Sequence, residues 1–166
     1  RLWRSYGKQE KTNKLRIMNV KSDTDYVVNL LKKNYSGLGF IPQPRIEEYV
    51  KNNQVFFEYE GGLKSGYCIV GSGKGKTLKI YQHCIEAELR RLEHGRELFK
   101  KIEHEARKRD YEHIHLRVRE NLEANKFWKA IGFKFMFLEP KVTARTKKGI
   151  NHWVYDIKNT KQHILI

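Results

Sequence analysis

The chain has 166 residues, of which 34 are Lys or Arg and 19 are Asp or Glu, giving a formal net charge of +15. This length suits one domain with a substantial core, and the content of 39% hydrophobic and 12% aromatic residues excludes a disordered chain. No apolar run approaches the ~20 residues of a membrane helix. Two cysteines, Cys68 and Cys84, exclude a disulfide scaffold and indicate a reducing, cytoplasmic setting.

The charge excess predicts contact with a polyanion, which is nucleic acid, an acidic membrane surface or a phosphate-rich cofactor. Solubility alone is the alternative explanation. Nothing else in the composition chooses among these partners, so the choice depends on where along the chain the basic residues cluster.

The first third of the chain predicts an arm, a strand and two helices. Residues 1–14 are polar and basic without a clear period, which predicts a basic N-terminal arm before a domain spanning residues 15–166. The alternation over residues 15–20 predicts a strand. Ser22 and Asp23 offer an N-cap to a following helix that Gly37 ends. A short helix is expected over residues 45–52.

From residue 54 the hydrophobic period changes to that of β-structure. Strands are expected over 54–60, 66–71, 77–85, 113–118, 133–139 and 151–158, with helices over 88–110 and 121–132. The first three of these strands predict an antiparallel meander. The fold class that follows is a single-domain α/β fold, with a mixed, mostly antiparallel central sheet flanked by helices.

Two motifs in the sequence resemble known ligand sites but lack part of the pattern that those sites require. The run GSGKGKT over residues 71–77 is similar to a phosphate-binding P-loop, but Val70 occupies the position of the first glycine and a strand follows instead of a helix. We therefore expect a basic hairpin turn. His113 and His115 share one face of a strand, yet no metal-ligand spacing accompanies them, so we expect no metal site.

The strand-turn-helix of residues 78–99 is a candidate anion site. The first turn of a helix presents unpaired N–H groups and the positive end of the dipole. Arg90, Arg91 and Arg96 surround that turn, where their charges oppose the dipole and stabilise no isolated helix. A bound pyrophosphate would account for them, whereas solvated surface charge is the alternative. The run NLEANKFWKAIGF over residues 121–133, taken alone, predicts a packed helix closed by Gly132.

Together these two segments resemble the GNAT superfamily of N-acetyltransferases. The run IYQHCIEAELRRLEHGREL over residues 80–98 and the basic segment before NHWVYD are similar to phage and prophage members of that superfamily. The acyl-CoA signature [RQ]-x-x-G-x-[GA] matches from Arg90 to Gly95, except that Glu93 replaces the first glycine. The later pattern N-x-x-A-x-x-x-Y-x-x-x-G-F matches from Asn121 to Phe133, except that Trp128 stands where many members carry a tyrosine. The resemblance spans residues 15–158.

The resemblance implies acetyl-CoA, or another acyl-CoA, as the cosubstrate. The opening between the strands over 77–85 and 113–118 would admit it, and Asn121 would face its thioester region. The backbone that ends the strand over 77–85 would pair with the pantetheine arm, and the helix start would cradle the pyrophosphate. The residues implied in cofactor binding are Cys84, Ile85, Glu86, Arg90, Arg91, Leu92, Glu93, His94, Gly95, Arg96 and Asn121.

The catalytic residues that the resemblance implies are His83, Glu86, Asn121 and Trp128. Trp128 removes the usual general acid, since an indole donates a hydrogen bond but transfers no proton at neutral pH. The candidate general bases are His83 and Glu86, with Tyr81 behind them. Cys84 as a covalent nucleophile is an alternative, although a buried strand cysteine is usually part of the core. The Glu93 carboxylate would repel a pyrophosphate if it pointed inward and would leave binding intact if it pointed outward.

The acceptor side is predicted from the basic segment KVTARTKKG over residues 141–149. Its Lys141, Arg145, Lys147 and Lys148 are expected to contact the phosphates of DNA or RNA. The leading hypothesis is direct acyl transfer to an amine of a nucleic acid or another anionic acceptor. Transfer to a small amine or a protein, and a non-catalytic nucleic-acid-binding protein of the same fold, are the alternatives. A monomer or homodimer without membrane contact is expected.

Overall fold

The structure is a computed structural model that describes residues 2–91, 93–140 and 148–158, with side chains from residue 18 onward. The chain forms two compact units, Arg1–Val55 and Phe56–Ile166. Among the described residues, no helix is both long and apolar enough to cross a bilayer.

The first unit is helical, with α1 (Leu2–Lys33), α2 (Tyr35–Leu38) and α3 (Gln43–Lys51). Helix α1 packs against α3, and the buried apolar side chains among residues 18–55 are Val27, Leu30, Leu31 and Ile46. Helix α3 matches the predicted short helix, and Pro42 precedes it as the N-cap.

The strand predicted over residues 15–20 is wrong, because this segment lies inside α1. Thr24 Oγ1 donates to Val20 O at 2.7 Å, an i to i−4 contact typical of a continuous helix. Ser22 and Asp23 therefore lie within the helix and are not its N-cap. No proline or glycine separates residues 15–20 from the helical stripe that follows. The helix therefore continues through this segment, whose short pattern fits a strand as well as a helix. The boundary predicted after residue 14 stays a prediction.

The second unit contains β1 (Val55–Glu60), β2 (Leu63–Ser72), β3 (Thr77–Ile85), α4 (His94–Lys108), β4 (His113–Arg119), α5 (Ala124–Ile131), β5 (Lys134–Glu139) and β6 (Ile150–Asp156). The strands form one sheet in the order β1-β2-β3-β4-β6-β5. Strand β3 runs parallel to β4, whereas the pairs β2–β3, β4–β6 and β5–β6 are antiparallel. The predicted fold class, a mixed and mostly antiparallel sheet with helices, is confirmed.

Turn chemistry explains the hairpins. Gly61 and Gly62 join β1 to β2 with φ of 55° and 81°, which a two-residue hairpin turn requires. The GSGKGKT segment forms the turn from β2 to β3, closed by the Gly73 N–H donating to Thr77 O at 2.8 Å. This basic hairpin turn was predicted, and no helix follows it as a P-loop would need.

The core of the second unit lies on one face of the sheet, where α4 packs on β2 and β3. Helix α4 contributes Leu98, Phe99, Ile102 and Ala106 to a buried cluster, as its predicted amphipathic stripe requires. On β4 the alternating Ile114, Leu116 and Val118 join the same cluster. The intervening residues of β4 therefore lie on the opposite face of the sheet.

Candidate active site

Strands β3 and β4 pair over only part of their lengths. The parallel pairing runs from Thr77 opposite His113 to Ile80 opposite Leu116. Strand β3 continues to Ile85 and β4 continues to Arg119, yet no further pair joins them in the described part of the chain. A bulge in the β2–β3 ladder lies where the separation begins, between Ile69 and Val70. The sheet therefore opens between its two central strands.

The open edge of β3 exposes backbone groups. The Glu86 N–H donates to Ser65 O at 2.9 Å, on the β2 side. Because successive residues of a strand direct their N–H and C=O groups to opposite sides, those of Ile85 point toward the opening. There the Ile85 carbonyl accepts from Arg90 Nε at 3.0 Å. The end of β3 thus offers the extended backbone that an amide-bearing arm could pair with.

A short 3₁₀ turn, Ala87–Leu89, follows this strand, and the chain then forms an irregular, basic turn at the start of α4. Arg91 and Glu93 both have left-handed backbone, with φ of 66° and 67°, and Glu93 is the N-cap residue without a side-chain cap. The Glu93 carboxylate is 71% exposed and pairs with Arg96 Nε at 3.1 Å. It therefore points outward, leaving the first-turn N–H groups to an anion. Leu92 lies outside the described residues.

Gly95 lies in the first turn of α4, against the aromatic side chains of the core. A Cβ placed on it would lie 3.1 Å from the Phe127 ring and 3.6 Å from the His83 ring. The Gly95 carbonyl is 3.1 Å from His83 Nε2. Glycine therefore lets the helix start approach β3 and α5 closely. His94 beside it is 3.5 Å from a Glu60 carboxylate oxygen.

The family comparison agrees with this geometry. A family model described as "Acetyltransferase (GNAT) domain" matches residues 38–158. The chain belongs to the GNAT acetyltransferase family. It is thus an acyltransferase whose cosubstrate is acetyl-CoA or another acyl-CoA, as predicted.

Solved structures share the GNAT fold at low identity. The ribosomal-protein-S18-alanine N-acetyltransferase of Escherichia coli superposes with a TM-score of 0.67 at 13% identity, over 87% of this chain and 94% of that one. Ard1 of Thermoplasma volcanium gives 0.69 at 18%, over 80% and 90%. An aminoglycoside 6'-N-acetyltransferase complexed with coenzyme A gives 0.69 at 14%, over 81% and 90%. A search of curated proteins finds no significant match.

In this GNAT domain His83, one of the two predicted bases, is enclosed by aromatic rings. Its ring lies 5.1 Å from that of Trp128, edge-on, and 5.6 Å from that of Phe127. Because a carbonyl only accepts, the 3.1 Å contact with Gly95 O places a proton on Nε2. Desolvation lowers the pKa of His83 to about 4. This environment favours a packing role over proton transfer near neutral pH.

Trp128, predicted at the position of the family's tyrosine, is 5% exposed. Its ring packs edge-on against Phe99 and Phe133 as well as against His83. Glu86 lies at the end of β3 and precedes a short 3₁₀ turn, Ala87–Leu89. Tyr81 is 44% exposed and covers Gly71, where a Cβ would lie 2.5 Å from the tyrosine ring. The catalytic roles predicted for His83, Glu86, Asn121 and Trp128 stay predictions.

Cys84 is buried and carries a free thiol, as does Cys68. Desolvation raises the pKa of Cys84 to about 11, despite the nearby Arg90, and burial also raises the pKa of Cys68. A thiol of this kind is protonated at neutral pH and is a poor nucleophile. The core role fits Cys84 better than the covalent alternative does.

Asn121 is exposed in the turn before α5, whereas sequence reasoning missed Asn125 four residues later. Asn125 Nδ2 donates to Arg119 O at 2.8 Å and to Leu122 O at 2.9 Å. Asn125 Oδ1 accepts from Asn151 Nδ2 at 3.0 Å and from Trp153 Nε1 at 2.9 Å. This side chain ties the end of β4 to α5 and β6. Its position inside a helical pattern gave no signal of that role.

The basic segment is described only at its end. Lys141, Arg145 and Lys147 lie outside the described residues, and Lys148 is exposed. His113 is also exposed, whereas His115 contacts His152. In the described part of the chain, no three His, Cys, Asp or Glu side chains gather as metal ligands would.

Proposed function

We propose that this acetyltransferase moves an acetyl group from acetyl-CoA to an amine carried by a nucleic acid or another polyanion. The observation that carries the acceptor class is basic surface at the open end of the cleft. Arg119 ends β4 and pairs with Ile150, so it adjoins the exposed Lys148 that precedes β6. The Glu120 N–H donates to Gly149 O at 2.9 Å, and Glu120 Oε1 accepts from the Gly149 N–H at 3.0 Å.

These two contacts anchor the end of the basic segment beside the separated ends of β3 and β4. The cosubstrate itself needs only a compact anion site, which the start of α4 offers. Lys148 and Arg119 lie at the end of β4, so they extend positive charge toward a second, larger anion. The net charge of +15 supports the same conclusion.

The residues present fit an acyl-CoA. The N–H groups of the first α4 turn would hold the pyrophosphate, and Arg96 would join them once it releases the Glu93 carboxylate. Backbone groups of Ile85 on the open edge of β3 would pair with the pantetheine arm, once Arg90 releases the Ile85 carbonyl. The backbone groups of Cys84 and Glu86 face β2, so the pairing predicted for them is not favoured. The bound thioester supplies an activated acyl group, and the chain orients it toward the acceptor.

Cosubstrate binding is tested by thermal unfolding with acetyl-CoA. We expect acetyl-CoA to raise the melting temperature of the wild-type chain. Arg96→Glu should weaken acetyl-CoA binding roughly tenfold, equivalent to about 1.4 kcal/mol, because it places an anion beside the pyrophosphate. Lys108→Glu, at the far end of the same helix, is the matched control. No stabilisation of the wild type at saturating acetyl-CoA would overturn the assignment of the cosubstrate site and would favour the non-catalytic alternative.

The acceptor class is tested by transfer of radiolabelled acetyl groups to four probes: duplex DNA, single-stranded RNA, a peptide with N-terminal alanine, and spermidine. We expect label on nucleic acid, decreasing steeply with salt. Replacing Lys141, Arg145, Lys147 and Lys148 by alanine should reduce this transfer. A charge-matched control replaces Lys74, Lys100, Lys108 and Arg109. Label confined to the peptide or to spermidine would contradict the polyanion acceptor and select the small-amine or protein alternative.

A further inference from the structure

Beside the cleft, on the face of the sheet opposite α4, four polar side chains form a continuous hydrogen-bonded chain. His115 Nε2 lies 3.0 Å from His152 Nδ1. His152 Nε2 lies 2.8 Å from Glu139 Oε2, which also accepts from Arg117 Nη2 at 2.8 Å. The chain crosses three neighbouring strands, because His115 and Arg117 lie on β4, His152 on β6 and Glu139 on β5.

The position of His115 along the sheet relates this chain to the opening. His115 pairs with Lys79, one step before Ile80 and Leu116, the last pair that joins β3 to β4. Leu116 belongs to the core on the α4 face, so the neighbouring His115 lies on the other face. An amine that attacks an acyl group held in the opening has to approach from a side that the cosubstrate leaves open. We expect this approach from the face opposite the α4 anion site, on which His115 lies.

The hydrogen bonds define the protons when both rings are neutral. Glu139 is an acceptor, since the hydrogen bond from His152 and the charge of Arg117 lower the pKa of its carboxyl. His152 therefore carries its proton on Nε2 and presents a bare Nδ1 to His115. His115 must then donate from Nε2, which leaves its own Nδ1 with a lone pair. No described residue hydrogen bonds to that Nδ1.

Packing fixes the His152 ring, and charge favours the neutral form of His115. The Phe137 ring stacks on His152 at 4.2 Å with an interplanar angle of 19°, and the His152 side chain is 12% exposed. Desolvation lowers the pKa of His115, and His152, Lys79 on β3 and Arg117 on β4 lower it further. His115 is therefore an unprotonated acceptor at neutral pH, and Glu139 stabilises the positive charge that arises when the pair takes up a proton.

We propose that His115 is the general base of the acetyl transfer, with His152 and Glu139 as its positioning residues. The inference rests on the proposed function. The lone pair of the neutral acceptor amine forms the N–C bond with the acyl carbon, and the C–S bond breaks. The proton lost by nitrogen passes to His115 Nδ1, and the electron pair of the C–S bond leaves on the CoA thiolate. The imidazolium then returns its proton to the thiolate or to water.

The proton positions are tested on the full chain without any acceptor, by two-bond ¹H–¹⁵N spectra of the histidine side chains across a pH titration. We expect His115 with its proton on Nε2, and a midpoint below the ordinary 6.5. Glu139→Gln should move that midpoint to lower pH, because the anion that stabilises the imidazolium is gone. A proton on Nδ1 of neutral His115, or a midpoint above 6.5, would overturn the proposal.

The catalytic role is tested by kcat/KM against pH, using whichever of the four probes accepts label. His115→Gln should lower kcat/KM by roughly 10²–10⁴-fold and abolish the acidic limb, without changing the acetyl-CoA affinity in thermal unfolding. His113→Gln, on the same face of β4, is the matched control. A wild-type kcat/KM in the His115→Gln variant would overturn the role of His115 as the general base and would leave the proposed acetyl transfer intact. Acetyl-CoA binding without transfer to any probe would instead contradict the proposed acceptors, while the spectra still decide the proton positions.

Discussion

His83 and His115 occupy neighbouring strands of one sheet and have opposite surroundings. His83 faces α4, between Trp128 and Phe127, where its ring contributes apolar surface to the core. His115 faces the other side, where His152 and Glu139 continue its hydrogen bond. Desolvation lowers the pKa of both rings, and the hydrogen bond to the Gly95 carbonyl opposes this shift at His83. His115 instead belongs to a chain of hydrogen bonds that ends on the Glu139 carboxylate. The comparison separates a histidine packed among core rings from one whose hydrogen bonds lead to a carboxylate, which is the arrangement that we propose for the base.

The largest effect is expected among the aromatic rings that surround His83. Trp128→Ala removes a 5% exposed ring at the centre of the cluster, and the free energy of unfolding should fall by about 3–5 kcal/mol. Urea unfolding measures this change. Trp128→Phe, which keeps an aromatic ring, should recover most of the loss. A Trp128→Ala variant as stable as the wild type would contradict the core role of this side chain.

The second prediction separates the two histidines by pH. Because the pKa of His83 is about 4 in the folded chain and about 6.5 when unfolded, the unfolded state binds more protons between these values. Stability should therefore decrease by about 2 kcal/mol as the pH falls from 7 to 5. His83→Leu should flatten this dependence in urea unfolding at both pH values. The control is His104→Gln, an exposed position on α4, and an unchanged slope in His83→Leu would refute the assignment.

Asn125 connects the end of β4 to the Trp153 indole and provides the third prediction. Asn125→Ala leaves the Trp153 N–H and the Asn151 amide without their acceptor, so we expect a loss of about 1–2 kcal/mol in unfolding free energy. Asn125→Asp keeps the acceptor oxygen and should lose less. Equal losses in the two variants would show that the donor contacts with Arg119 and Leu122 matter more.

The smallest effect is expected in the hydrogen-bonded chain that contains His115. Arg117 is 52% exposed where it pairs with Glu139, so Arg117→Ala should cost only about 0–1 kcal/mol of stability. Its charge lowers the pKa of His115, and its removal should move the His115 titration to higher pH. The histidine spectra measure this shift. A titration that moves to lower pH would contradict the proposed electrostatics.

Sequence patterns predicted most of the second unit because each of its elements satisfies its own period. Strand β3 was predicted with its observed limits, and the β4 alternation identified which of its residues are buried. The same reasoning failed over residues 15–20, where six residues fit two periods and the neighbouring helix decided between them. The acyl-CoA signature was found because it combines Arg90 and Gly95 at a fixed spacing with the start of a helix.

The sequence by itself determined the family, the cosubstrate class and the β-rich second unit, because those depend on local periods and short spacings. It also predicted an anion site at the start of α4, which stays a prediction. Only the tertiary structure decided that the Glu93 carboxylate turns to Arg96, that His83 lies among aromatic rings, and that Asn125 joins three elements. It also brought together His115, His152 and Glu139, which are distant in the chain. Their contact depends on the order β4-β6-β5, and strand order is set by long-range pairing that no local pattern encodes.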